Sequence, residues 1–129
     1  MTFTEEEVED MLKMTMVSDG IKLSKDELRK TKMILEDFKF GNTPTKLLDK
    51  ICMLFNVKKE DVISSLRSLP LLKARVVFFQ ECQKKFPYMH YTAISLFIGK
   101  DRSTIYRYAR MMAYDRTLIT TYNEIKDKI

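Results

Sequence analysis

Gly20, Gly41 and Gly99 are the only glycines in this 129-residue chain, and Pro44, Pro70 and Pro87 the only prolines. With so few residues able to turn the chain sharply, no Asn-Gly or Gly-Gly pair and a single Asp-Gly at 19–20, a sheet built from several hairpins has too little to make its corners. The runs between these stops are rich in Leu, Lys, Glu, Met and Arg, the residues that lose least on entering a helix. The expectation is an all-α, multi-helix fold cut at glycine and proline. At this length the chain fits one domain, or one domain with a small appendage, and about two-thirds of its surface can be buried.

Each stop implies a boundary. Thr4 with Glu7 has the spacing of a capping box, followed by Val8, Met11, Leu12 and Met16 at helical intervals. After Gly20, Ser24 with Glu27 repeats the signal, and Leu28, Ile34, Leu35 and Phe38 form a stripe ending at Gly41. Residues 4–40 therefore read as a helical pair. Thr43-Pro44 is a hydroxyl cap followed by proline at the first helical position, opening an apolar helix to about Asn56. A short helix is expected over Glu60–Leu66, then a loop. Pro70 stands near the first turn of a helix carrying Leu72, Val76, Phe79 and Phe86, which Pro87 stops. The run VVFF at 76–79 marks that helix as the buried centre. Helices over Tyr91–Phe97, from Asp101, and from Asp115 toward Lys128 complete the chain.

Several classes of function find no support. No run approaches the ~18 apolar residues of a membrane helix. The N-terminus, MTFTEEEVED, is acidic where a signal peptide is basic and then apolar, so a cytoplasmic protein is expected. Cys52 and Cys82 stand among apolar neighbours without CxxC spacing and read as reduced packing residues rather than a disulfide or metal pair. His90 has no partner motif for general-base work and reads as a capping or surface residue. No nucleophile elbow, paired-carboxylate motif or cofactor signature emerges, so neither an enzyme nor a cofactor is expected.

Charge divides the chain. Residues 1–43 carry −3 and residues 44–129 carry +8, within an overall +5. The basic part has the character of a protein that meets a polyanion. The expected organisation is an acidic helical extension over 1–42 and a basic domain over 43–129. The extension is assigned to self-association, to a protein partner, to covering the basic face, or simply to extending the core.

The cations concentrate in IGKDRSTIYRYARMM, residues 98–112. A helix of about seven residues, a tight connection at Gly99 and a capped helix read as a helix-turn-helix. On a wheel of about 100° per residue, Ile105, Tyr108, Ala109 and Met112 share one side. Ser103, Tyr106, Arg107 and Arg110 share the other, with Arg102 near the boundary. An outward cationic side of this kind suits a helix lying in a DNA major groove, its first residues at the base edges. Arg102 can take guanine O6 and N7, a contact worth about 1–3 kcal/mol of discrimination. Ser103 and Thr104 offer hydroxyls, and Asp101 can cap the helix or accept from cytosine N4. Lys100, Arg107 and Arg110 suit phosphates, which fix register without reading sequence.

FIGKDRSTIYRYAR resembles the signature of the C-terminal DNA-binding domain of the bacterial replication initiator DnaA, F-G-G-R-D-H-T-T-V-L-H-A. Phe97, Gly99, Asp101 and Thr104 match it directly; Lys100, Ser103 and Ile105 are conservative replacements. Upstream, KEDVISSLRSLPLLKAR is similar to that family's D-L-L-S-K-R-R-S-R-S-V-A-R-P-R, with Asp61, Ser64, Arg67, Ser68 and Arg75 in matching positions. The resemblance spans about residues 43–129. It implies a Trp-repressor/DnaA-like all-α domain, a sequence-specific reader of double-stranded DNA in replication or transcription, associated with the nucleoid. Carried over by position, it makes Lys100, Asp101, Arg102, Ser103 and Thr104 the base-contacting set. Arg67 and Ser68 become the minor-groove loop, with Arg75 a backbone or groove contact, and Lys73 joins Arg107 and Arg110 as a backbone contact. The chain departs from the family at Arg102, where the family has histidine, at Leu66 and Leu69, where it has basic residues, and at Ile98, where it has glycine. The phosphate loop G-x-x-x-x-G-K-[ST] is absent from these residues, so ATP hydrolysis by the initiator's machinery is not expected. The competing expectation is a protein-interaction module, or a competitor of the initiator, that keeps the fold without specific DNA reading.

Overall fold

The computed structural model describes residues 4–15, 25–39 and 41–129. Among the described residues eight α-helices follow one another with no strand, as the scarcity of turn residues implies. They are α1 (Glu5–Thr15), α2 (Lys25–Lys39), α3 (Pro44–Phe55), α4 (Lys59–Ile63), α5 (Leu69–Lys85), α6 (Tyr91–Ile98), α7 (Arg102–Tyr114) and α8 (Arg116–Ile125), closed by a 3-10 turn at Lys126–Lys128. Among the described residues no helix is long and apolar enough to cross a membrane. Nor does any group of three or more His, Cys, Asp or Glu side chains there come together as a metal site.

Local chemistry sets most boundaries. The Glu7 N–H donates to Thr4 Oγ1 at 3.1 Å, and the Thr4 hydroxyl donates in turn to the Glu7 carboxylate at 3.1 Å. The Ser24 cap and the Gly20 break lie outside the described residues. Thr43 Oγ1 accepts from the Lys46 N–H with Pro44 in the first turn. Asn56, in the left-handed region at φ 53°, ends α3 by donating its N–H to the Cys52 and Met53 carbonyls. Phe86, expected within α5, instead stands just past its end: its N–H still donates to Cys82 O at 2.8 Å, while its ψ of 64° leaves the helix. Pro87 follows, without an N–H to continue the ladder.

α5 is the axis. Ala74, Val76, Val77, Phe78, Phe79 and Cys82 are wholly buried, because α3, α4, α6, α7 and α8 all pack around this helix. Its buried carboxylate, Glu81, is matched from α8: the Tyr122 hydroxyl donates to Glu81 Oε1 at 2.6 Å, and Lys85 Nζ lies 3.7 Å from Oε2. Burial, then the bond and charge of Glu81, push the Tyr122 phenol up to about 12. Burial likewise raises the thiols of Cys52 and Cys82, both free and buried as packing residues.

The acidic segment is built into this core. Ile34 and Phe38 of α2 belong to the same buried cluster as α3 and α5. Asp10 of α1 is buried and receives both the backbone N–H of Thr45, at 3.0 Å, and the Thr45 hydroxyl. Burial raises the Asp10 carboxyl above its ordinary value, against the lowering effect of those two bonds. Lys13 lies 5.2 Å from the centroid of the Phe97 ring, Glu6 pairs with Lys59 at 3.2 Å, and Tyr88 donates to Asp37. The division at 42/43 is thus a boundary of charge across which packing is continuous.

Candidate nucleic-acid interface

α6 runs to Ile98, which is buried, so the residue standing in place of a glycine fills the core. Gly99 turns the chain at φ 64°, where a side chain is strained, and a Cβ there would press on Ile63, 3.0 Å from its carbonyl oxygen. That approach seats the turn directly against the end of α4. Asp101 then caps α7, its Oδ1 accepting from the Thr104 N–H at 2.8 Å and from the Ser103 hydroxyl at 2.9 Å. These bonds, those to Thr104 first, hold the Asp101 carboxyl below its ordinary value. Its carboxylate is therefore engaged within α7.

The two sides of α7 fall where the wheel puts them. Ile105 and Tyr108 are buried, Ala109 and Met112 partly so; Arg102, Ser103, Tyr106, Arg107 and Arg110 are exposed. Arg102 is folded along the helix, its Nε and Nη2 donating to the Tyr106 hydroxyl at 3.2 and 2.9 Å, with the guanidinium 5.4 Å from the ring centroid. Tyr106 in turn stands 5.0 Å from Tyr91, which packs on Phe79 at 5.3 Å and receives a bond from Gln83 Nε2 at 2.9 Å. A chain of rings thus connects the core to Arg102. The expected site set omits Tyr106, although its position four residues after Arg102 on one helix was a usable signal. His90 occupies the N-cap position of α6 with no capping bond from its side chain.

The loop differs from expectation. α4 ends at Ile63 rather than continuing to Leu66, because a buried cation takes its last carbonyls. Arg75, expected at the DNA surface, is only 4 % exposed. Its Nε donates to Val62 O at 2.8 Å, and its Nη2 to Asp61 O and Ser64 O at 3.1 and 3.0 Å. Arg75, the seventh residue of α5, is here the clasp of the preceding loop, its rigid planar fork spreading donors to three carbonyls at once. Ser64 adds a second lock, its hydroxyl donating to Asp61 O at 2.6 Å and accepting from the Leu66 N–H at 3.2 Å. Lys100 shares the Ser64 carbonyl with Arg75. Burial, then the charges of Arg75 and Arg67, lower the Lys100 amine from its ordinary value.

These locks bring the loop beside the start of α7 and leave a cleft of about 460 Å³ between them. Arg67, Arg75, Lys100 and Arg107 line it, with hydroxyls from Ser65, Ser68 and Thr104 and no carboxylate. Four cations without an acid in one concavity make a site of positive potential, focused by its low-dielectric walls. Arg67 and Ser68 lie exposed at its edge, Lys73 is half-buried on α5, and Arg110 sits one turn beyond Arg107 on the exposed side of α7. No family model, curated protein or solved structure matches this chain.

Proposed function

We propose that the protein binds double-stranded DNA sequence-specifically as a regulator of replication or transcription, with α6, the Gly99 turn and α7 acting as a helix-turn-helix. The observation that carries this reading is the cationic, carboxylate-free cleft joining the loop 64–68 to the first turn of α7. One side of the molecule thereby offers a helix start and a basic loop to the same polyanion. α7 would enter the major groove with Arg102, Ser103 and Thr104 toward base edges, Arg102 leaving Tyr106 to take a guanine. Lys100, Arg107 and Arg110 would meet phosphates, and Arg67 the adjacent minor groove. Arg75 acts behind them, holding the loop in place.

A second reading, a protein-interaction module that keeps the fold, is favoured by the exposed Leu66 of that loop and Leu69 at the start of α5. Fluorescence anisotropy with a randomised duplex pool and an initiator-type box, at two salt concentrations, separates the two. Salt-sensitive binding with selection of a short motif is the expected result. Arg102→Ala should then relax selection at one base pair, by about 1–3 kcal/mol of discrimination. Arg110→Ala should weaken all sequences alike and flatten the salt dependence. Folded protein that binds no duplex at low salt rejects the DNA reading.

A further inference from the structure

The loop 64–68 and the first residue of α5 hold out apolar side chains where a simple phosphate-binding loop would have none. Leu66 is 54 % exposed and Leu69 58 %, and Arg67 stands between them. They are not on a slack segment: Arg75 and Lys100 both hold the Ser64 carbonyl, and the Ser64 hydroxyl ties the Leu66 N–H. Leu69 also lines the cationic cleft, beside Arg67 and Arg107. The fold therefore keeps large apolar groups in water at the rim of a carboxylate-free cationic surface. Exposed apolar groups so placed call for an occupant that is both anionic and able to cover hydrocarbon. The minor groove of a duplex is such an occupant, since its walls are phosphates and its floor opens between base pairs onto the apolar faces of the stack.

We infer that the Leu66–Leu69 tip is a wedge, entering a base step from the minor groove beside Arg67 and partly unstacking it. This rests on the DNA-binding reading and adds a second mode of recognition. Unstacking is easiest at pyrimidine–purine steps, so the loop selects a deformable step by its mechanics, while α7 reads base edges.

The test uses two duplexes of identical composition, one alternating (TA)n and one an An·Tn tract, each with 2-aminopurine replacing a central adenine. At low salt the intact protein should raise 2-aminopurine fluorescence severalfold on the alternating duplex and little on the tract, with tighter binding to the alternating one. The Leu66→Ala/Leu69→Ala variant alters only exposed side chains; its melting midpoint is compared with that of the parent. It should bind both duplexes with the parent's salt dependence, lose the fluorescence rise, and lose most of the preference between them. Leu66→Phe should restore the rise in the Leu69→Ala background. Binding by the parent without a fluorescence rise overturns the wedge alone, as does a rise that survives in the double variant. Failure to bind either duplex overturns the DNA reading with it.

Discussion

The first turn of α7 and the loop 64–68 flank the same cleft, yet they are held by opposite means. α7 organises itself: Asp101 caps it from within three residues, and its apolar side docks it on the core. The loop has one local tie, the Ser64 hydroxyl bonded to Asp61 O and the Leu66 N–H, and is otherwise fastened from a distance. Its Ser64 carbonyl is taken by Arg75, eleven residues further on, and by Lys100, thirty-six further on. Its position against α7 depends on Gly99 admitting the Ile63 carbonyl. A helix can be specified by neighbours in sequence; a loop that must stand still has to be fastened from outside. If both elements meet one ligand, their spacing is set by the loop's fastenings rather than by α7.

The strongest way to break this contrast is Arg75→Ala. It strips three charge-assisted hydrogen bonds from carbonyls at a buried position and should cost about 3 kcal/mol, measured by urea unfolding. Hydrogen exchange should show the loss concentrated at residues 61–68, with α7 retaining its protection. Arg75→Lys should recover little, because an ammonium cannot reproduce the planar fork. Equal loss of protection in both elements would mean they are one cooperative unit.

Gly99→Ala tests the contact between them. The left-handed backbone costs a side chain about 1–2 kcal/mol, and the new methyl would press on Ile63. Thermal melting should show the loss. Duplex binding should weaken beyond what instability explains, because the loop and α7 would be pushed apart; binding unchanged at a temperature where the variant is folded would separate their spacing from function.

The smallest effect belongs to the self-organised element. Asp101→Ala should lower the melting midpoint modestly and loosen the first turn of α7 while sparing the loop. Its carboxyl titrates below the ordinary 3.8 in the folded protein. The cap's contribution is therefore complete above that value and is lost as pH falls through the depressed folded pKa. The difference between parent and variant should accordingly shrink in acid. A difference that stays constant down the acid limb would mean that charge on Asp101 plays no part in the cap.

The helical class, the caps at Thr4, Thr43 and Asp101, the stop at Gly99 and the two sides of α7 were all legible in the sequence, because each depends on residues within one or two turns. The buried course of α5 was legible too, from VVFF. What the sequence could not show is which cations face out. Arg67 and Arg75 look alike in a basic stretch, but carbonyls left over at the end of α4 draw one inward, and that demand exists only once α4 and α5 are packed together. The same holds for the acidic segment: its charge sets it apart, while Asp10 on Thr45 and Phe38 in the core join it to the rest. Periodicity and capping are local, so the chain states them directly. The pairing of a buried charge with its distant partner is decided by packing, because only burial makes an unmet hydrogen bond costly enough to choose one arginine over another.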